Sequence, residues 1–301
     1  MAVTGVQTCA PSDLLLLFAA AYQIARKFSF AHGFFFLITF LWADLIPVSY
    51  SIPDACCFFI LFLAVLLLTG KKDCFWKEPQ KPSFIFYGIG AVTAVMDSMT
   101  IPVITLSIPL TIFFLSIRRQ SPDAPPRSLW KQMFFPGILW ILGYLLMICT
   151  KWLLTVIATG KNFFPDYIHQ IAEECIGSVI SPASIRQMYL DNLKAYISRA
   201  GFGMTALLIA LATAALAYLL LFAAGHRPWR DCAAFLPLLP VSLLPYLFYL
   251  ILPAHALLHT GITFRAQAAC FYPVLLFFYS LLDTERIRQR LNTAMELLRR
   301  D

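Results

Sequence analysis

Phe134-Phe-Pro-Gly-Ile-Leu-Trp-Ile-Leu-Gly-Tyr-Leu-Leu-Met-Ile-Cys-Thr-Lys-Trp-Leu-Leu-Thr-Val-Ile-Ala-Thr159 decides the fold: 26 residues that carry a single charge, Lys151. A helix crossing a bilayer needs about 17–25 mostly apolar residues, and this run exceeds that length. Further apolar runs occupy approximately 14–25, 28–46, 52–69, 84–117, 201–224, 232–252 and 266–282. The chain of 301 residues is 60% hydrophobic, with a mean hydropathy of +0.74. Average soluble domains are only about 45–50% apolar. These features predict an all-α protein, a polytopic transmembrane helix bundle of about seven to nine membrane segments with amphipathic surface helices beside it.

The net charge of +7 invites a nucleic-acid partner, but its distribution argues against one. Arg26/Lys27, Lys71/Lys72/Lys77/Lys81, Arg118/Arg119/Arg127/Lys131, Arg227/Arg230 and the tail from Arg286 hold 17 of the 23 basic residues, all outside the apolar runs. Basic loops mark the cytoplasmic side of membrane proteins. That bias puts residues 44–54, 160–200 and 255–265 on the extracytoplasmic side, and one orientation satisfies every cluster. The eight cysteines are scattered without a CxxC pair, so neither a disulfide framework nor a zinc knuckle is expected. Walker A, GxGxxG and GxSxG motifs are absent from the sequence.

Run 84–117 is basic at both ends, which places both on one side. Its Met96-Asp-Ser-Met-Thr-Ile-Pro102 carries an acid, two hydroxyls and a proline, predicting a broken or re-entrant hairpin with Asp97 at its outward tip; the alternative is one kinked span. In 160–200, apolar residues recur at helical spacing after Pro165 (Ile168, Ile171, Ala172, Cys175, Ile176, Val179) and after Ser181-Pro182 (Ile185, Met188, Tyr189, Leu193, Tyr196, Ile197). Two amphipathic helices on the outer surface are expected there, with His169 and Glu173 on a solvated face. Residues 14–282 form the expected membrane domain and 283–301 an amphipathic cytoplasmic tail. Ala2-Val-Thr-Gly-Val-Gln-Thr-Cys-Ala-Pro-Ser-Asp13 reads like a translated sequencing adapter, so residues 1–13 are expected to be foreign and the natural chain truncated near Leu14.

Polar groups inside apolar stretches mark candidate function. In Pro253-Ala-His-Ala-Leu-Leu-His-Thr-Gly261, proline should open a short helix and glycine close it, putting His255 and His259 on one face. Arg265 follows. The group can bind a phosphate or sugar, ligate a metal, or satisfy loop carbonyls; a phosphate ligand is preferred because a guanidinium fork fits its oxygens. No HExxH is present, and neither a metal nor another cofactor is expected. Lys151 either snorkels beside Trp152 or neutralises an anion, with Asp97 as a possible partner. Asp97 is the candidate catalytic acid or base. Asp44 and Asp54 read as ordinary loop acids.

Pro47-Val-Ser, Gly90 through Asp97-Ser-Met-Thr-Ile-Pro, Thr105-Leu, Pro109-Leu, Gly143-Tyr, Lys151-Trp152 and His255…His259…Thr263-Phe-Arg265 together resemble a family of uncharacterised bacterial polytopic membrane proteins with GT-C glycosyltransferase-like organisation. The resemblance spans most of 30–282. It implies an integral transferase in the bacterial inner membrane, with membrane lipids and a polyprenyl-phosphate sugar donor as partners on the extracytoplasmic face. The family's usual acid lies in a first outer loop near the N-terminus, a region expected to be missing upstream of Leu14. A transporter or flippase for an anionic lipid or solute is the alternative, since interrupted helices form midplane binding sites.

Overall fold

The computed structural model describes residues 10–45, 52–72, 75–76, 78, 80–96, 101–176, 181–199 and 233–283, with isolated positions at 212 and 289. Asp97, the run 201–224 and most of the tail beyond 283 lie outside them.

The described residues form an all-helical assembly: α1 (Ala10–Lys27), α2 (Phe30–Trp42), α3 (Ile52–Gly70), α4 (Gln80–Met96), α5 (Ile104–Gln120), α6 (Pro126–Thr159), α7 (Phe164–Ile176), α8 (Pro182–Arg199), α9 (Leu238–Ser242), α10 (Leu244–Ile251), α11 (Pro253–Leu258), α12 (Thr260–Thr263), a 3-10 turn (Phe264–Gln267) and α13 (Ala268–Ser280). The helix starts have local causes. Pro126 opens α6. Ser181 and Ser184 cap α8 reciprocally, each hydroxyl accepting from the other's backbone N–H at 3.1 and 3.4 Å. α1 carries Asp13 in its first turn and Arg26 and Lys27 in its last, opposing the helix dipole. Because α1 begins at Ala10, the stretch expected to be foreign supplies its first turn.

Run 84–117 is divided, with α4 and α5 on either side of residues 97–103. It is therefore two helices rather than one kinked span. Every residue of α5 from Ile104 to Ile117 is buried, as suits a helix that is apolar all round. Two of its hydroxyls tie it to neighbouring helices. Thr105 meets the Thr93 hydroxyl of α4 at 2.9 Å and accepts the Trp140 indole N–H of α6 at 3.2 Å, while Ser107 donates to the Ala269 carbonyl of α13 at 2.9 Å. α4 and α6 run parallel in closest contact, Phe84 meeting Phe135 at their starts and Ala94 meeting Lys151 towards their far ends. A Cβ at Gly90 would strike the Trp140 carbonyl, and one at Gly143 the Tyr87 carbonyl. Small residues allow such approach between apolar helices.

Pro126–Thr159 and the continuous stretch Thr260–Ser280 are long and apolar enough to cross a membrane, and Phe30–Trp42 and Ala55–Gly70 are shorter apolar helices. Among the described residues that makes two candidate spans, fewer than the seven to nine segments expected. The shortfall has a geometric reason: 13 residues of α2 reach only about 20 Å, and run 232–252 breaks at Leu243 into α9 and α10. Large apolar side chains nevertheless cover the outside of the bundle. Phe134 is 72% exposed, Leu153 61% and Ile157 71% along α6 alone.

Charge sorts the two ends. At one, Lys27 Nζ donates to the Leu68, Thr69 and Lys71 carbonyls closing α3, and Arg119 donates to the Lys27 carbonyl. At the other, Trp42 Nε1 donates to the Tyr196 carbonyl of α8 at 2.6 Å, and Arg265 reaches Ala43. Among the described residues, the basic positions 26–27, 71 and 118–119 thus gather at one end and Asp44, Tyr196 and Arg265 at the other.

Candidate functional site

The histidine end is organised by α8. Its inward face presents Met188, Asn192 and Tyr196, spaced four apart and all fully or nearly fully buried. Leu193 and Ile197, expected on that face, are exposed instead. Asn192 explains the rotation. Its Nδ2 donates to the Ala256 carbonyl of α11 at 3.0 Å and to Met188 within α8 at 3.0 Å, while its Oδ1 accepts the Thr263 hydroxyl at 2.8 Å. Tyr249 Oη donates to the Thr263 carbonyl at 2.7 Å, and Tyr189 Oη to that of Tyr246 at 3.1 Å. Helices as short as α11 and α12 leave many backbone groups outside their own ladders, and these side chains supply partners. Burial pushes the Tyr196 phenol well above its ordinary range, so it stays neutral and serves as a packing surface, stacked on Phe271 at 4.8 Å.

α11 ends at Leu258 rather than at Gly261, because His259 turns out of helical geometry (φ −105°, ψ 31°) and Gly261 belongs to α12. The two histidines still share a face, with ring centroids 4.7 Å apart. They differ in access: His255 is 7% exposed, whereas His259 faces outward. Among the described residues no group of three His, Cys, Asp or Glu side chains gathers with metal-holding geometry.

Arg265 is 4% exposed, and its fork is engaged by the chain itself. Nε donates to the Ala43 carbonyl at 3.1 Å, Nη1 to Gly261 at 2.9 Å and Nη2 to Asp44 at 3.3 Å. The guanidinium lies 4.5 Å from the Phe264 ring centre. Asp44 adopts φ 54° just beyond α2 and brings a carboxylate oxygen within 4.0 Å of Nη2. Arg265 thus caps the carbonyl end of α2 across more than 200 residues of sequence, where a cation is favoured. A ligand phosphate would have to compete with these contacts.

Lys151 is exposed on α6, and its Nζ donates to the Ala94 carbonyl in the last turn of α4 at 3.1 Å. It therefore caps the helix that leads directly into Asp97. Trp152 meets Phe164 and Tyr167 of α7 edge-on at 4.9 and 4.8 Å, and α7 also packs on α11. α7 is the element shared by the Lys151 and histidine neighbourhoods. His169 and Glu173 sit 3.6 Å apart on its solvated face.

The structure joins His255 with His259 and fastens Arg265 to Asp44; it places Lys151 at the end of α4. Asp44 and Asn192 are the polar residues that sequence reasoning passed over. Asn192 had a signal, a polar side chain in an otherwise apolar i, i+4 row. Asp44 had none beyond its place next to an apolar run. No family model, curated protein or solved structure matches the chain.

Proposed function

We propose that this is a multi-pass bacterial inner-membrane protein of seven to nine membrane segments, and that it handles a polyprenyl-phosphate-linked sugar at its histidine end. That end faces the extracytoplasmic side and the C-terminus lies in the cytoplasm. The membrane reading is supported by the apolar exterior, because soluble monomers rarely expose contiguous apolar patches beyond a few hundred Å². One observation carries the functional reading. His259 is an outward-facing imidazole tilted against the buried His255 ring, at a helix break between apolar segments. An imidazole there can donate to a phosphate oxygen or move a proton. Lys151 supplies a cation at the mouth of α4. Asp97, on the segment that follows, is the candidate acid or base for an acceptor hydroxyl. Arg265 shapes the site through Ala43, Asp44 and Gly261.

The interrupted stretches at 101–103 and 251–264 favour a second reading, transport of an anionic lipid or solute through a site built on broken helices. Turnover separates the two. With a labelled polyprenyl-phosphate sugar and reconstituted full chain, His259→Ala is expected to slow transfer by at least about a hundredfold. Its melting temperature should stay at the wild-type value, since the side chain is exposed. Transfer at the wild-type rate would overturn the role of His259. Movement of intact labelled lipid between leaflets without transfer would favour transport.

A further inference from the structure

The end remote from the histidines holds a cavity of about 560 Å³ lined by Arg26, Lys27, His32, Arg118 and Arg119, with no carboxylate among the described lining residues. Its charges come from two helix ends: Arg26 and Lys27 close α1, and Arg118 and Arg119 close α5. The helix dipole accounts for each pair at its own terminus. It does not account for bringing both pairs to one concavity, where like charges repel. The bundle enforces that meeting. Arg119 donates to the Lys27 carbonyl, Lys27 Nζ reaches the three carbonyls that close α3, and that ammonium lies 4.9 Å from the Trp76 ring centre. The Arg118 guanidinium lies 5.9 Å from the ring centre of Phe235, which also lines the cavity.

We propose that this cavity binds a phosphate-bearing anion, the guanidinium forks of Arg26 and Arg118 meeting its oxygens while Lys27 and Arg119 fix the surrounding positive field. Arginine forks match phosphate oxygens in geometry and charge. A volume of this size falls within the roughly 300–1,000 Å³ usual for small-ligand sites. Phe28, Leu115 and Phe235 make the wall beside the cations apolar, which suits an anion attached to a lipid. Basic pockets between helices on the cytoplasmic side hold acidic headgroups in this way. The site shares with the proposed function only the assignment of this end to the cytoplasm, and binding is read without any turnover.

The full chain is placed in nanodiscs of phosphatidylcholine, alone or with phosphatidylglycerol, and retained lipids are counted by native mass spectrometry. Inorganic phosphate binding to the phosphatidylcholine sample is measured by calorimetry. Wild type is expected to retain phosphatidylglycerol preferentially, and Arg26→Gln to weaken this about tenfold, the worth of one charge-assisted hydrogen bond. Arg26 is exposed, so the variant should melt with wild type in phosphatidylcholine. Phosphate binding that Arg26→Gln weakens, without preference for phosphatidylglycerol, assigns the site to free phosphate instead of lipid. Absence of both binding events in wild type, or binding indifferent to Arg26→Gln, overturns the site.

Discussion

Gly90→Ala and Gly143→Ala should each lower the melting temperature of the purified protein, while Gly88→Ala and Gly137→Ala should leave it unchanged or raise it. All four put the same methyl group on α4 or α6, so helix propensity acts identically and favours alanine by about 1 kcal/mol. Space decides the sign. A Cβ at Gly88 or Gly137 meets nothing within 4 Å, whereas one at Gly90 or Gly143 overlaps a backbone carbonyl of the facing helix. Backbone cannot step aside as a flexible side chain does, so the helices must separate. Overpacking of this kind costs about 1–3 kcal/mol, sometimes more. Separation would also stretch the Trp140–Thr105 bond at 3.2 Å that ties α6 to α5. Thermal unfolding in detergent checks the ordering, and equal behaviour of all four variants would refute the close packing of α4 on α6.

Arg265→Ala should be the most damaging single substitution at the histidine end, and through stability before chemistry. It strips donors from the Ala43, Asp44 and Gly261 carbonyls. Hydrogen bonds from charged groups contribute about 1.5–3 kcal/mol each, which makes a loss of roughly 3 kcal/mol or more reasonable for the set. The carboxylate contributes less. Asp44 is 28% exposed on its side chain and 4.0 Å from Nη2, so Asp44→Asn should cost only about 0–1 kcal/mol. Melting curves of the two variants test this division. Were Arg265→Ala to melt like wild type and lose only turnover, the guanidinium would be acting on a ligand rather than on the end of α2.

The helical class, the break between α4 and α5, the proline-marked starts of α8 and α11, and the sorting of the described charge clusters to two ends were legible, because each depends on local periodicity or on residues within a turn, whereas the start of α6 at Pro126, eight residues ahead of the apolar run, was not. What escaped depends on register between distant helices. Asn192 interrupts an apolar row in the sequence, but its partners Ala256 and Thr263 come to it only when α8 docks. Arg265 reads as a ligand group until the chain folds Ala43 against it, 222 residues away. Gly261 reads as a helix end, but the turn falls at His259. The GT-C resemblance is affected in the same way. Of its positions, Gly90, Gly143, Thr105, Thr263 and Arg265 all have packing or hydrogen-bonding tasks.

The central claim is that one membrane separates the histidine end from the basic end. Single cysteines at exposed Lys161, beside α7, and at exposed Asp123, between α5 and α6, test it most directly in a parent whose native cysteines are replaced by alanine. Intact cells are treated with a membrane-impermeant maleimide, before and after permeabilisation. Lys161→Cys is expected to label in intact cells and Asp123→Cys only after permeabilisation. Labelling of both positions from the same side of the membrane would contradict the two-faced bundle.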